Sequence, residues 1–84
     1  MYLNVGADTL IRGEDIVGIF DLDSSSVGAD TKSLLKKKEK QGMVKRVGYE
    51  LPKSFVLTKD GSIYLSQFAS GVLSDMVKKA RWLP

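Results

Sequence analysis

Residues 53–66, KSFVLTKDGSIYLS, contain the clearest structural pattern in the chain. Two β-prone runs, at 53–58 and 62–66, flank the pair Asp60-Gly61. An Asp-Gly pair between two such runs is among the strongest short-range signals of a β-hairpin, because both residues tolerate the backbone angles of a tight turn. The segment therefore predicts an antiparallel hairpin around which the rest of the fold is built.

Upstream of this hairpin, short β-prone runs at 2–5, 9–12 and 16–20 predict three further strands. The third is apolar at successive positions, a pattern typical of a central strand covered on both faces. Residues 21–28 are rich in Asp, Ser and Gly and predict a turn. Residues 43–47 predict a short edge strand or an extended link.

Two segments predict helices. Asp30 or Thr31 can cap a helix of about 11 residues that ends at Gly42. Its apolar stripe is limited to Leu34 and Leu35, so we expect a narrow contact with the body. Ser70 can cap a last helix with a coherent apolar face. That face comprises Val72, Leu73, Met76, Val77 and Ala80.

The element order β-β-β-α-(β)-β-β-α predicts a single domain over residues 1–84. It belongs to the α+β class, with a small, mostly antiparallel β-sheet and two helices. A chain of 84 residues buries only about 60–65% of its unfolded surface, so its stability margin is thin. Small domains commonly recover stability by associating, and we therefore expect a homo-oligomer.

The composition argues against catalysis. Histidine and cysteine are both absent, which removes disulfides, the usual zinc sites and the commonest general base. No nucleotide-binding glycine motif is present. We expect no enzyme activity, no cofactor or metal, and no small-molecule substrate.

No apolar run approaches the ~20 residues that cross a bilayer. The first residues lack the basic and apolar regions of a signal peptide. We therefore expect a cytoplasmic protein with no membrane partner.

Charge is distributed very unevenly. Seven of the 13 basic residues lie between positions 32 and 46, where Glu39 is the single acid. Residues 1–30 carry a net charge of about −5, and residues 31–46 about +6. Because polyanions respond to local charge density, the basic segment predicts a phosphate-bearing partner such as double-stranded DNA. The same polarity would let the acidic end of one copy meet the basic segment of another.

Lys32, Lys36 and Lys40 are four residues apart and form one stripe on the predicted helix. Lysine is a mobile point charge, so contacts should be to phosphates rather than to base edges. The alternative is a solvated face whose cations favour the helix C-terminus. The candidate DNA-binding residues on charge alone are Lys32, Lys36, Lys37, Lys40, Lys45 and Arg46.

Two aromatic residues outside the hairpin could stack on nucleotides, Tyr49 and Trp82, although such residues more often lie in a core or an interface. Trp82 and Leu83 follow the apolar stripe of the last helix. We expect these two residues to form an intersubunit contact.

Four strings together resemble a known family. They are MYLNVG (1–6), EDIVGIFDLD (14–23), LPKSFVLT (51–58) and IYLS (63–66). In this order and spacing they are similar to the RemA/RemB-type regulators of bacterial extracellular matrix genes, and most similar to the RemB (YaaB-like) branch. The resemblance implies a cytoplasmic, compact, β-rich regulator of matrix (biofilm) genes. In the RemA branch it further implies an oligomeric, ring-forming DNA-binding protein.

The chain departs from that family at positions associated with DNA binding. The RemA-type pattern has an arginine at the position of Asp15 and an arginine pair in the segment matching Glu50 and Leu51. Lys53 matches a basic position of the family and is the one such residue retained. The resemblance therefore adds Lys53 to the DNA-binding candidates. It leaves two alternatives, an oligomeric DNA-binding regulator or an oligomeric interaction module that does not itself bind DNA.

Overall fold

The structure is a computed structural model that describes residues 1–22 and 29–81, without the side chains of residues 29–31, 80 and 81. The predicted turn at 21–28 lies mostly outside this part. The elements in chain order are β1 (Tyr2–Asn4), β2 (Leu10–Arg12), β3 (Ile16–Asp21), α1 (Ala29–Lys40), β4 (Val44–Arg46), β5 (Ser54–Thr58), β6 (Ile63–Ser66) and α2 (Ser70–Arg81). A single 3₁₀ turn, Gly13–Asp15, connects β2 to β3. The α+β class is confirmed.

The predicted hairpin is confirmed as β5 and β6, which pair antiparallel. The N–H of Gly61 donates to the carbonyl of Thr58 at 3.0 Å, and the N–H of Thr58 donates to the carbonyl of Ser62 at 3.0 Å. Gly61 has φ +89°, a region that glycine enters without steric cost. The loop is thus a three-residue turn that closes with a glycine bulge.

The strands form two sheets rather than one. β1 and β2 make an antiparallel pair, and the other four make a sheet in the order β3-β5-β6-β4. Within that sheet β4 runs parallel to β6, and the other pairs are antiparallel. The sheet is therefore mostly antiparallel, and the short edge strand predicted near residues 43–47 is confirmed as β4.

The prediction that residues 16–20 form a central, covered strand is wrong. β3 lies at an edge of the four-stranded sheet, and Val17 is 60% exposed. The register shifts between Ile16 and Gly18, which places Val17 in a bulge. Ile16 and Ile19 pack against the core, whereas Phe20 stacks on Phe55 with 4.9 Å between ring centroids. The two-sided apolar pattern thus arises from a bulged edge strand.

One face of the four-stranded sheet carries the main core, which β1, β2 and α2 cover. The buried cluster consists of Leu3, Val5, Ile11, Val47, Val56 and Leu73. On α2, Met76 and Val77 pack against this cluster beside Leu73, but Val72 is 46% exposed, so its predicted place on the apolar face is wrong. The side chain of Ala80 lies outside the described part.

Helix α2 begins at Ser70 itself. The carbonyl of Ala69 accepts bonds from the N–H groups of Val72 and Leu73, so Ala69 occupies the capping position predicted for Ser70.

Helix α1 connects opposite edges of the four-stranded sheet, β3 and β4. Phe55 and Ile63 are buried outside the main core cluster, and α1 contacts the edge strand β4. The helix ends as predicted, with Gly42 at φ +71°. The N–H of Gly42 donates to the carbonyl of Glu39 and that of Met43 to the carbonyl of Lys38, both at 3.0 Å. These two bonds form a Schellman motif that stops the helix.

Candidate nucleic-acid interface

The solvent side of α1 presents a row of lysines. Lys32, Lys36 and Lys40 are exposed, whereas Leu35 and Lys38 are half-buried. At about 100° per residue, the three lysines are centred about 130° around the helix axis from Leu35 and Lys38. Their Cα atoms span about 12 Å along the axis. We call Lys32, Lys36 and Lys40 the lysine face.

The lysine face has no acidic partner within the described part of the chain. The one ion pair there joins Arg12 to Glu14, far from α1 in sequence. Lys37 is also exposed and lies beside the lysine face. Lys38 turns inward, and its ammonium group lies against the backbone of Gly61. The helix therefore exposes four cations that have no acidic partner in the described part of the chain, and a fifth, Lys38, is half-buried.

Strand β4 directs its two cations to opposite faces of the sheet, because side chains alternate along a strand. The Nζ of Lys45 donates to the hydroxyl of Tyr64 at 3.3 Å and lies 5.1 Å from the centroid of its ring. Arg46 is adjacent to Leu65 in register and points to the face opposite to that of Lys45. Arg46 is thus on the same face of the sheet as Leu65 and Phe55, whereas Lys45 is on the face that carries the main core.

Lys53 lies at a different place, immediately before β5. Its N–H donates to the carbonyl of Ser66 at 2.8 Å, and its carbonyl accepts from Leu22 at 2.9 Å. Arg46 is adjacent to Leu65 on the other side of β6, so the backbones of Arg46 and Lys53 are about 10 Å apart. The side chain of Lys53 is exposed.

The predicted DNA-binding residues thus fall into distinct groups. Lys32, Lys36, Lys37 and Lys40 share α1, Arg46 and Lys53 flank one end of β6, and Lys45 lies on the opposite face of the sheet. The predicted interface residues Trp82 and Leu83 lie outside the described residues.

The loop between β4 and β5 exposes two large apolar side chains. Tyr49 is fully exposed and Leu51 is 84% exposed, so neither contributes to the core. Glu50 between them is also exposed. The sequence had not singled out Leu51 as a surface residue. Its position between Gly48 and Pro52, two residues that interrupt regular structure, could have identified it as part of a loop.

The hairpin turn holds a carboxylate in a fixed orientation. Asp60 accepts bonds from the hydroxyl of Thr58 at 2.5 Å, from the N–H of Ser62 at 3.0 Å and from the hydroxyl of Ser62 at 3.1 Å. These bonds, led by that of Thr58, lower the pKa of Asp60, and the charge of Lys45 contributes in the same direction. The turn is therefore an anionic site that would repel phosphate, beside Tyr64 and Lys45.

Together, the fold and this surface define a small α+β protein whose first helix presents cations to solvent. The family model for RemA-like proteins, described as extracellular matrix regulatory protein A-like, matches residues 2–76. The chain belongs to this family, whose general role is extracellular matrix regulation.

Comparison with curated protein sequences gives no match. Among the helices that the structure describes, none has the length and hydropathy needed to span a membrane.

Proposed function

We propose that this chain is a cytoplasmic transcriptional regulator of bacterial extracellular matrix (biofilm) genes. It assembles into a homo-oligomer and binds double-stranded DNA through backbone phosphates. It carries out no catalysis and needs no cofactor. The observation that carries the proposal is the lysine face of α1, which is exposed, continuous and without acidic partners in the described chain.

The lysine face does not favour the stability of α1 itself. Like charges at positions i and i+4 repel by about 0.2–0.5 kcal/mol per pair, and the lysine face contains two such pairs. Acids placed among the lysines would relieve this repulsion, yet Glu39 is the one acid of α1 outside its first turn. A bound polyanion would attract all of these lysines and would offset the repulsion between them.

The chemistry of the surface favours phosphate contacts without base readout. Its cations are lysines, apart from Arg46, and lysine lacks the planar fork that reads guanine. Arg46 and Lys53 extend the interface beyond α1, with Lys37 beside the lysine face. Several subunits, each with the same weak contacts, would bind one duplex more strongly than a single subunit does.

We further assign the chain to the RemB branch of the family. The strings at 1–6, 14–23, 51–58 and 63–66 support this assignment. The family-type arginines are replaced by Asp15, Glu50 and Leu51, so the lysine face would substitute for them.

The proposal is tested by a single charge reversal, Lys36→Glu, with Lys79→Glu as the matched control. Both lysines are exposed and helical, and both substitutions change the net charge equally. Binding of a duplex is measured by fluorescence anisotropy at about 0.1 M salt. Lys36→Glu should weaken binding about tenfold, since one phosphate contact contributes about 0.9 to the log–log salt dependence. Lys79→Glu should change it less than about twofold.

Loss of affinity in Lys36→Glu should not result from unfolding of the variant. Lys36→Glu replaces two repulsive i, i+4 pairs with attractive ones, so α1 should be at least as stable as before. Lys79→Glu, in contrast, places a glutamate four residues after Asp75. Equal losses in the two variants would show that net charge matters and the lysine face does not. No change in either would exclude α1 as the DNA-binding surface.

A second function is supported by the substitutions at Asp15, Glu50 and Leu51. The chain would then be an assembly module that joins other copies or a related regulator without touching DNA. Wild-type protein that forms oligomers but binds no duplex at low salt would favour this second function.

A further inference from the structure

A groove of about 600 Å³ lies between β3 and α2. Its volume is within the roughly 300–1,000 Å³ of pockets that hold small molecules. Such pockets are mostly apolar and contain a few polar groups that orient the ligand. The two walls of this groove, one from β3 and one from α2, are formed by Ile16, Gly18, Ile19, Ser74, Val77 and Lys78.

The large side chains of both walls are mainly apolar. Ile16 and Ile19 on β3 and Val77 on α2 pack against the main core and are half-buried, so each leaves part of its surface open to the groove. An apolar group placed against these side chains would be removed from water, which favours binding. The groove is therefore suited to the apolar part of a ligand.

The boundary of the groove beside β1 can change shape. Met1 lines the groove, and its side chain lies on the backbone of Gly13, whose N–H donates to the carbonyl of Met1 at 2.9 Å. Met1 is 51% exposed. Because methionine is unbranched and flexible, it fills irregular spaces and can adjust to a ligand.

The groove also contains a cation without an acidic partner. Two charged residues line it, Glu14 and Lys78. Glu14 forms an ion pair with Arg12, whereas Lys78 forms no ion pair in the described part of the chain. Ser74, four residues before Lys78, places a hydroxyl on the same side of α2. These groups favour an anionic group next to an apolar one.

We propose that the groove binds a single-chain amphiphile with an anionic head group, such as a medium-chain carboxylate. The apolar chain lies against Ile16, Ile19 and Val77, and the head group lies beside the ammonium group of Lys78. Lysine is a point charge, so it attracts a carboxylate without a fixed bidentate geometry. The ligand is a free molecule rather than a lipid within a bilayer, because a groove of this size encloses a single chain. It is bound and not transformed.

This inference goes beyond the proposed function and does not depend on it. The groove is formed by β3 and α2, whereas the lysine face lies on α1. Loss of DNA binding in Lys36→Glu would leave ligand binding intact. Loss of ligand binding would likewise leave the DNA-binding proposal unaffected.

The experiment is equilibrium dialysis of the full chain against decanoate and octanoate. Decanoate should bind, and octanoate should bind up to about fifteenfold more weakly, because each buried methylene strengthens binding about fourfold. No binding of decanoate, or equal affinity for the two carboxylates, would overturn the proposal.

Lys78→Gln tests the position of the head group. It should weaken decanoate binding by about 1.5-fold to fivefold, the effect of losing one exposed ion pair, and should leave the binding of decanol unchanged. Lys79→Gln is the matched control, because Lys79 is exposed on the same helix and does not line the groove. Unchanged decanoate binding in Lys78→Gln, or equal losses in the two variants, would overturn the role of Lys78.

Ser74→Phe tests the location of the apolar chain. The larger side chain should fill the groove and abolish the binding of both decanoate and decanol. Val72→Phe is the control, because Val72 is 46% exposed on α2 and does not line the groove. Thermal unfolding shows whether Ser74→Phe is folded. Full binding by folded Ser74→Phe would overturn the site, and if this variant does not fold, the comparison of Lys78→Gln with Lys79→Gln decides.

Discussion

The hydroxyl of Ser66 donates a hydrogen bond to the carbonyl of Val5 at 2.7 Å, across 61 positions of sequence. Ser66 belongs to β6, and Val5 follows β1, so this bond ties the two sheets together. The same hydroxyl oxygen accepts from the N–H of Phe68 at 3.1 Å. Ser66 is fully buried, and it satisfies two backbone groups that would otherwise have no partner in the core.

Ser66→Ala should therefore lower the free energy of unfolding by about 1–3 kcal/mol, the cost of leaving buried polar groups unpaired. Ser54→Ala is the comparison, because Ser54 is equally buried but serves one partner, the carbonyl of Phe68 at 2.7 Å. Chemical denaturation measures both. If Ser66→Ala lowers the free energy of unfolding no more than Ser54→Ala does, Ser66 does not have the proposed role of joining the two sheets.

A glycine at position 8, in the turn between β1 and β2, should stabilise the protein. Ala7 and Asp8 have φ of 47° and 59°, and the N–H of Thr9 donates to the carbonyl of Gly6 at 2.9 Å. Two consecutive positive φ angles define a type I′ turn, in which Asn-Gly is preferred. Asp8→Gly should raise the free energy of unfolding by about 0.5–1 kcal/mol. In helix α2, Asp75→Gly should instead lower it by a few tenths to about 1 kcal/mol, since glycine weakens helices. A loss of stability in Asp8→Gly would contradict the turn assignment.

Asp60 should make the free energy of unfolding depend on pH in the acidic range. Its pKa is lowered by the hydrogen bond from Thr58, so its contribution is fully present above the unfolded-state pKa of about 3.9. That contribution is lost as pH falls through the lower folded-state pKa. Asp60→Asn should remove this part of the pH dependence. Thermal midpoints measured between about pH 5 and pH 2 test it, and identical acid sensitivity in the two proteins would show that Asp60 makes no such contribution.

The loop between β4 and β5 should accept arginine without structural cost. Glu50 and Leu51 are exposed, and surface substitutions of this kind usually change stability by less than about 0.5 kcal/mol. Glu50→Arg/Leu51→Arg restores the basic pair that the family resemblance implies and should tighten duplex binding. Glu50→Gln/Leu51→Gln is the uncharged control. Unchanged affinity in the arginine variant, measured by anisotropy, would place this loop away from bound DNA.

The sequence predicted the elements whose signals are local. The Asp60-Gly61 hairpin, the stop at Gly42 and the edge character of β4 all depend on residues close together in the chain, and the structure confirms them. The lysine spacing likewise predicted a shared helical face. These features could be predicted because turn and helix geometry is set by nearby backbone groups.

Features that depend on pairing between distant segments could not be predicted. The edge position of β3 follows from the order in which the strands pair. The bulge at Val17 shifts the register by one residue, so the side chains on either side of it do not alternate between the two faces as in a regular strand. Val72 fits a helical stripe, yet α2 rotates so that Leu73 and Val77 face the core and Val72 faces solvent. The contact of Lys45 with Tyr64, which fixes the face of the sheet that Lys45 occupies, joins residues 19 positions apart and could not be predicted.

The salt dependence of duplex binding tests the central claim most directly. For wild type, a plot of log binding constant against log salt should fall with a slope set by the phosphates contacted, about −0.9 for each. Lys36→Gln/Lys40→Gln should reduce the magnitude of that slope by about 1.8 per bound subunit, whereas Lys59→Gln/Lys79→Gln should leave it unchanged. An equal slope in wild type and in Lys36→Gln/Lys40→Gln would contradict DNA binding through the lysine face of α1.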